Sequence, residues 1–136
     1  MLARVPDDLE ATFWIATLHR WKGNVEDALA AYGRVLAQAP QHVDARLGRA
    51  RIFLHLGRWA EAEADVRAAL ATAPQSEEAI ELWMSVLLRT RRFQEAEAWL
   101  REHPEVPGRD RWLGDLYMAQ GRVRDAIAAY TRATAR

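Results

Sequence analysis

The chain has 136 residues, half of them hydrophobic, and its 19 basic and 19 acidic side chains give a formal net charge of zero. This length suits one domain, and the charge balance argues against a general binder of polyanions such as nucleic acids. The absence of cysteine excludes disulfides and thiolate metal sites. No stretch approaches the roughly 18 apolar residues of a membrane-spanning helix, so we expect no membrane insertion.

A period of 34 residues begins near the N-terminus and recurs along the chain. Prolines lie on it at Pro6, Pro40 and Pro74, and alanines at Ala28, Ala62 and Ala96. Fixed self-similarity at this period is typical of arrays of helix-turn-helix units. Each unit of such an array buries its apolar face on its neighbours. We therefore predict stacked helix pairs as the organising principle of the fold.

The N-terminal segment also follows this period, because Leu2, Leu36 and Leu70 lie 34 residues apart. We interpret residues 1–8 as the end of a preceding repeat's second helix, and the chain as a segment of a longer array. A truncated N-terminus carries no targeting information, so a cytoplasmic and a periplasmic location both stay open. The predicted repeats follow in order: 9–42, 43–76, a shortened 77–106, and 107–136.

The turn after the first helix of each unit carries a second signal. Three units have a glycine there: Gly23, Gly57 and Gly121. Glycine closes a helix in the left-handed conformation without steric cost. Arg91 takes this place in the third unit, where we expect strain of about 0.5–1 kcal/mol. Pro104 predicts a non-helical connection over 103–109, which is either a tolerated deletion or a change of superhelical path.

The repeats also share residues within their helices. The fourth unit carries Leu113, Gly114, Tyr117, Ala126 and Tyr130 in the order Leu-Gly-x2-Tyr and Ala-x3-Tyr. With these motifs the chain resembles the tetratricopeptide repeat family over its whole length. The resemblance implies an all-α fold, a right-handed α-solenoid of about four helix-turn-helix repeats.

Several side chains carry more local expectations. Ser76 precedes two glutamates and is predicted to cap a helix, whereas Asp65 lies in a charged run that we assign to a solvated face. Arg46 and Arg49 occupy positions that are usually apolar in the family. The core face is expected to take Ile15, Leu18, Ile52, Phe53, Val86, Leu87, Leu113 and Tyr117.

The resemblance also implies where a partner binds, because first helices line the concave surface in this family. Carried onto this sequence, the groove positions are Phe13, Trp14, Thr17, Arg20, Leu47, Arg51, Leu54, Leu82, Ser85, Arg89, Arg111, Trp112 and Asp115. Tryptophan and arginine are enriched at the energetic centres of interfaces. Alternatively, Trp14 and Trp112 pack between neighbouring repeats.

We find no arrangement of residues that indicates catalysis. The four histidines show no metal-binding spacing and no phosphate-binding loop is present, so we expect no enzyme activity, metal or cofactor. The leading interpretation is a module that binds a protein or peptide segment, or a partner helix, in its groove. The alternative is a structural spacer within a longer array, for example one attached to an export barrel or an enzyme domain. Self-association through exposed repeat ends, at residues such as Leu2, Ile127 and Tyr130, is a further expectation.

Overall fold

The computed structural model describes residues 8–135, which form eight α-helices and no strand. The helices are α1 (Leu9–Lys22), α2 (Val25–Gln38), α3 (Val43–His55), α4 (Trp59–Thr72), α5 (Glu77–Arg89), α6 (Phe93–Glu102), α7 (Arg109–Ala119) and α8 (Val123–Thr134). The expected all-α fold is confirmed. Two helices fall within each predicted repeat, although the repeat boundaries themselves stay a prediction. The expectation for residues 1–8 lies outside the described residues except at Asp8, which caps α1.

The described residues pack into two compact units, the first ending at Leu82 and the second beginning at Trp83, within α5. In the first unit, α1 pairs with α2, α3 pairs with α4, and α2 also packs on α3. In the second unit, α7 pairs with α8 and α6 packs on α7. Each helix pair therefore places an apolar stripe of one helix on that of its neighbour.

The packing of α2 on α3 depends on one close approach. Tyr32 of α2 is fully buried, and its ring lies over the backbone of Gly48 on α3. A Cβ atom at Gly48 would lie 2.5 Å from Tyr32 Cζ, which is too close for any side chain. In the second unit, the ring of Tyr130 lies equally close to Gly114. Glycine lets the two helices in each pair approach until the tyrosine ring fills the space between them.

The turn at Arg91 has the expected left-handed backbone. Its φ is +59°, against +87°, +75° and +72° at Gly23, Gly57 and Gly121. A left-handed conformation is unfavourable for a residue with a Cβ atom. The guanidinium of Arg91 lies 5.1 Å from the centre of the Phe93 ring, and this cation–π contact offsets part of the strain.

Two other local predictions are confirmed. The side chain of Ser76 accepts a hydrogen bond from the Ala79 backbone N–H at 3.2 Å and so caps α5. The chain is non-helical between Glu102 and Arg109, where proline interrupts the helical pattern. The expected connection therefore exists, one residue shorter than predicted.

The predicted core face is correct for α3, α5 and α7 but wrong for α1. Ile52, Phe53, Val86, Leu87 and Leu113 are buried and Tyr117 is half-buried. In contrast, Ile15 and Leu18 are 47% and 56% exposed. The reason is that α2 covers one face of α3, and no helix among the described residues covers the corresponding face of α1.

The prediction that Asp65 faces solvent is also wrong, because its side chain is 1% exposed. Arg46 donates to Asp65 Oδ1 at 3.0 Å, and Arg49 donates to both carboxylate oxygens. A buried carboxylate is tolerated when it is paired and hydrogen-bonded. The two arginines that depart from the family pattern are therefore the partners of this aspartate.

Candidate partner-binding site

The predicted groove residues differ widely in exposure. Those that are exposed are Trp14, Arg89 and Arg111. Those that are half-buried are Phe13, Arg20, Arg51, Ser85 and Asp115. Those that are buried are Thr17, Leu47, Leu54, Leu82 and Trp112. The buried side chains are packed inside the protein, so the expectation that they present a contact surface is corrected.

A cavity of about 330 Å³ brings two of the predicted residues together in the first unit. Its described lining is Arg20, Gly23, Val25, Arg51, Ile52 and His55. The end of α1 and the following turn form one wall, and α3 forms the other. The cavity exists because Gly23 closes α1 in a left-handed conformation and turns the chain into α2 at this point. We call it the arginine cavity.

Arg20 is held in the arginine cavity by a buried hydrogen-bond network. The Tyr32 hydroxyl lies 3.0 Å from Thr17 Oγ1, and it accepts a hydrogen bond from Arg20 Nε at 3.2 Å. Tyr32 itself is fully buried, so this anchor is rigid. This bond uses only the Nε atom of Arg20. The two terminal nitrogens, Nη1 and Nη2, can therefore donate to other acceptors. Thr17 thus contributes to the cavity as a support rather than as a surface residue.

Arg51 lies on the α3 wall of the cavity and is paired with Glu78 at the start of α5. Its Nε and Nη2 atoms both donate to Glu78 Oε2, at 2.9 and 2.7 Å. The two side chains are 36% and 43% exposed, so the ion pair remains solvated. A solvated pair of this kind contributes little stability and can exchange partners.

The composition of the arginine cavity defines what it can hold. Among the described lining residues, Arg20, Arg51 and His55 can donate hydrogen bonds and none is acidic. Val25 and Ile52 supply an apolar floor. Guanidinium groups bind carboxylates and carbonyl oxygens with directional hydrogen bonds. A polypeptide segment that offers such oxygens beside an apolar side chain matches this lining.

Sequence reasoning missed the contribution of the turn to this site. The groove positions were carried over from first helices alone, whereas Gly23 and Val25 belong to the turn and the start of α2. Ile52 was assigned only to the core. A glycine at the end of a helix is a local signal that the chain turns there, but it does not indicate a cavity.

In the second unit, Arg111, Trp112 and Asp115 make local contacts on α7 and α8. The Arg111 guanidinium lies 4.9 Å from the centre of the Trp112 ring. Asp115 accepts a hydrogen bond from the Tyr130 hydroxyl at 2.5 Å, and this bond raises the pKa of Tyr130. An open cavity of about 500 Å³ lies elsewhere in this unit, beside the strained turn at Arg91.

Residues 8–135 contain no group of three or more histidine, aspartate or glutamate side chains placed to hold a metal ion. Within the same part of the chain, no helix has the length and apolarity needed to cross a membrane.

The helix pairs, the glycine-closed turns and the buried alanines define a helical repeat protein. The tetratricopeptide repeat pattern matches residues 15–77 and 112–136, more than half of the chain. The chain belongs to the tetratricopeptide repeat family. Domains of this family are in general protein-interaction modules without catalytic activity. No curated protein matches the chain by sequence.

Several solved structures share the fold. A crystal structure of MamA protein superposes with a TM-score of 0.76 at 23% identity, covering 90% of this chain and 69% of that one. A thermophilic tetratricopeptide repeat protein from Thermus thermophilus gives 0.73 at 22% identity, over 94% and 73% of the two chains. A tetratricopeptide repeat protein from Parabacteroides merdae gives 0.77 at 16% identity, over 91% and 50%. These likenesses establish a helical repeat solenoid and nothing about ligands.

Proposed function

We propose that this protein is a non-catalytic interaction module that binds an extended peptide segment or a partner helix on the surface of its first helices. The arginine cavity carries the proposal, because it joins Arg20 and Arg51 beside His55 on neighbouring repeats of the first unit. Trp14 extends this surface along α1, and Arg111 and Arg89 provide contacts in the second unit.

The chemistry of the cavity supports a polypeptide ligand. Arg20 is held by the buried Tyr32, so its guanidinium loses little side-chain freedom when a ligand binds. The solvated pair of Arg51 with Glu78 can exchange its carboxylate for an oxygen of the ligand. Each arginine retains N–H donors that are not used in these contacts. The apolar floor formed by Val25 and Ile52 accommodates a side chain next to the bound oxygen.

The alternative function is a spacer within a longer array, in which the faces of the chain contact only neighbouring repeats. A spacer needs no oriented hydrogen-bond donors in a cavity. It predicts that the purified chain selects no peptide, whereas an interaction module selects sequences with a shared feature.

A peptide display selection tests the proposal. The immobilised chain is offered a random peptide library, and the retained clones are tested again on two variants. Arg51→Gln removes a cavity donor, and Arg34→Gln removes an exposed arginine of α2 outside the cavity. We expect a common motif that is retained by the Arg34→Gln variant and lost by the Arg51→Gln variant. Failure to enrich any motif, with both variants folded by circular dichroism, would favour the spacer.

We also propose that nucleic acid is not a partner and that the exposed repeat ends allow self-association. Acidic and basic side chains balance over the sequence, which disfavours binding to phosphate backbones. At the C-terminal end, Val123 and Ile127 are 54% and 61% exposed.

A further inference from the structure

Arg51 pairs with Glu78 in a geometry that differs from that of the buried ion pair on the same helix. The Nε and Nη2 atoms of Arg51 both donate to one oxygen, Glu78 Oε2. Arg49, also on α3, donates to the two separate oxygens of Asp65, which is the stronger, parallel arrangement. Asp65 is 1% exposed, whereas the Glu78 side chain is 43% exposed. Of these two pairs, the one between Arg51 and Glu78 is therefore accessible to water and to other anions.

Arg20, on the other wall of the arginine cavity, has a neutral partner. Its Nε atom donates to the Tyr32 hydroxyl. Because this hydroxyl carries no charge, the contact leaves the positive charge of Arg20 uncompensated. The charges of Arg20 and Arg51 thus act together in one cavity whose described lining contains no acidic side chain. Such a lining attracts an anion.

We propose that the bound peptide segment places an anionic side chain in the arginine cavity, and that Glu78 is an internal competitor that holds Arg51 until this anion displaces it. The inference rests on the proposed function of peptide binding. It specifies the charge of the ligand and names the residue that limits its affinity.

A neutral group is a poor replacement for Glu78. A backbone carbonyl of the ligand would separate the Glu78 carboxylate from Arg51 and return only a hydrogen bond to a neutral acceptor, which is the weaker kind. An anion restores the charge-assisted hydrogen bonds of Arg51 and is attracted by Arg20 as well. The Glu78 side chain is already partly solvated, so its release into water costs little. The exchange therefore favours an anion over a neutral group.

Two kinds of peptide side chain supply this chemistry. A carboxylate and a phosphate both offer negatively charged oxygens that accept hydrogen bonds from guanidinium groups. Aspartate or glutamate carries the first, and a phosphorylated serine carries the second. Val25 and Ile52 provide an apolar floor for the side chain next to the anion. The common requirement is the negative charge, and the experiment distinguishes its two sources.

Four peptide pools test the charge of the ligand on the full chain. Each pool has an amidated C-terminus, random flanking residues other than aspartate and glutamate, and one fixed central residue, which is aspartate, asparagine, phosphoserine or serine. We expect the aspartate or the phosphoserine pool to be retained about fivefold or more above its neutral counterpart, and the stronger of the two identifies the anion. Equal retention of charged and neutral pools overturns the proposal and leaves a module that binds neutral peptides. Retention of no pool overturns this proposal together with the proposed function.

Glu78→Gln tests the internal competitor. Glu77→Gln is the matched control, because Glu77 lies beside Glu78 in the first turn of α5 and its loss changes the net charge equally. With both variants folded by circular dichroism, Glu78→Gln should bind the retained anionic pool about two- to fivefold more tightly than the parent, and Glu77→Gln should bind like the parent.

The same substitution in an Arg51→Gln background shows whether the competition acts through Arg51. There the gain from Glu78→Gln should disappear, because the two carboxylates no longer compete for a guanidinium. No gain in the parent background, a gain equal to that of Glu77→Gln, or a gain that survives Arg51→Gln would each overturn the role of Glu78.

Discussion

Arg49 on α3 and Asp65 on α4 form a two-pronged ion pair between these two helices. Arg49 Nε donates to Asp65 Oδ2 at 2.8 Å, and Nη2 donates to Oδ1 at 2.7 Å. The hydrogen bond to Asp65 raises the pKa of Arg49 above its ordinary value. Between α7 and α8 the polarity is reversed, since the buried Asp110 lies on α7 and accepts a hydrogen bond from Arg132 on α8 at 3.2 Å.

The first prediction concerns Asp65. Asp65→Ala removes the carboxylate and leaves Arg46 and Arg49 facing each other, with side chains 23% and 25% exposed. Breaking a buried pair costs about 3–5 kcal/mol, and partial solvation of the arginines places this case near 3 kcal/mol. Urea unfolding followed by circular dichroism measures the loss. The control Glu26→Ala removes an exposed first-turn acid and should cost less than about 1 kcal/mol.

The second prediction concerns the glycine under Tyr32. Gly48→Ala places a Cβ atom 2.5 Å from the Tyr32 ring and forces α2 and α3 apart. Overpacking of this kind costs about 1–3 kcal/mol. Gly33→Ala is a matched control within α2, where an added Cβ meets nothing within 4 Å. That substitution should stabilise the protein by about 0.5–1 kcal/mol, so unfolding midpoints that move in the same direction would contradict the packing described.

The third prediction measures how far the cation–π contact with Phe93 compensates for the backbone strain at Arg91. Arg91→Gly removes the strain of a left-handed backbone at a residue with a Cβ atom, but it also removes the cation–π contact with Phe93. In the parent chain the two effects largely cancel. In a Phe93→Leu background only the strain remains, and Arg91→Gly should stabilise by about 1 kcal/mol. A double-mutant cycle in urea measures the difference, and an identical effect in both backgrounds would show that Phe93 offers no compensation.

The fourth prediction concerns alkaline pH. The hydrogen bond that Tyr130 donates to Asp115 raises the pKa of Tyr130 above its ordinary value, and burial adds to the rise. In the unfolded chain Tyr130 titrates near its ordinary pKa of about 10. Because the pKa of Tyr130 is higher in the folded protein, its hydrogen bond contributes fully to stability below about pH 10, and this contribution is lost as the pH rises through the folded-state pKa. Urea unfolding between pH 8 and 11 should show this loss. Tyr130→Phe should make the decline shallower, and an unchanged decline would assign it to other groups.

The periodicity predicted the helices because three of the four predicted repeats carry a glycine at the turn and all four carry a small alanine in the second helix. Pro40 and Pro74, with the glycines at 23 and 57, place helix ends to within a few residues. Burial was less predictable. Ile15 and Leu18 carry the pattern of a core face, but whether a face is buried depends on whether a neighbouring helix covers it, and the pattern of α1 alone does not encode the neighbour.

The ion pair at Asp65 and the arginine cavity show a second feature that the sequence alone did not predict, namely which side chains from different helices meet. Arg46 and Arg49 stood out as charged residues at apolar positions, yet only the fold reveals that both point to Asp65. Similarly, Arg20 and Arg51 were placed on first helices, but the cavity between them arises from the turn at Gly23. Pairwise geometry between repeats depends on how helices cross, and residue spacing within one repeat does not specify it.

The most direct measurement of the proposed function is the affinity of a display-selected peptide for three forms of the chain, by isothermal titration calorimetry. These are the parent, the double variant Arg20→Gln plus Arg51→Gln, and the control Arg34→Gln, each folded by circular dichroism. Charge-assisted hydrogen bonds contribute about 1.5–3 kcal/mol each, so the double variant should bind at least about tenfold more weakly, while the control binds like the parent. Equal affinity for the parent and the double variant would contradict a role for the arginine cavity in partner binding.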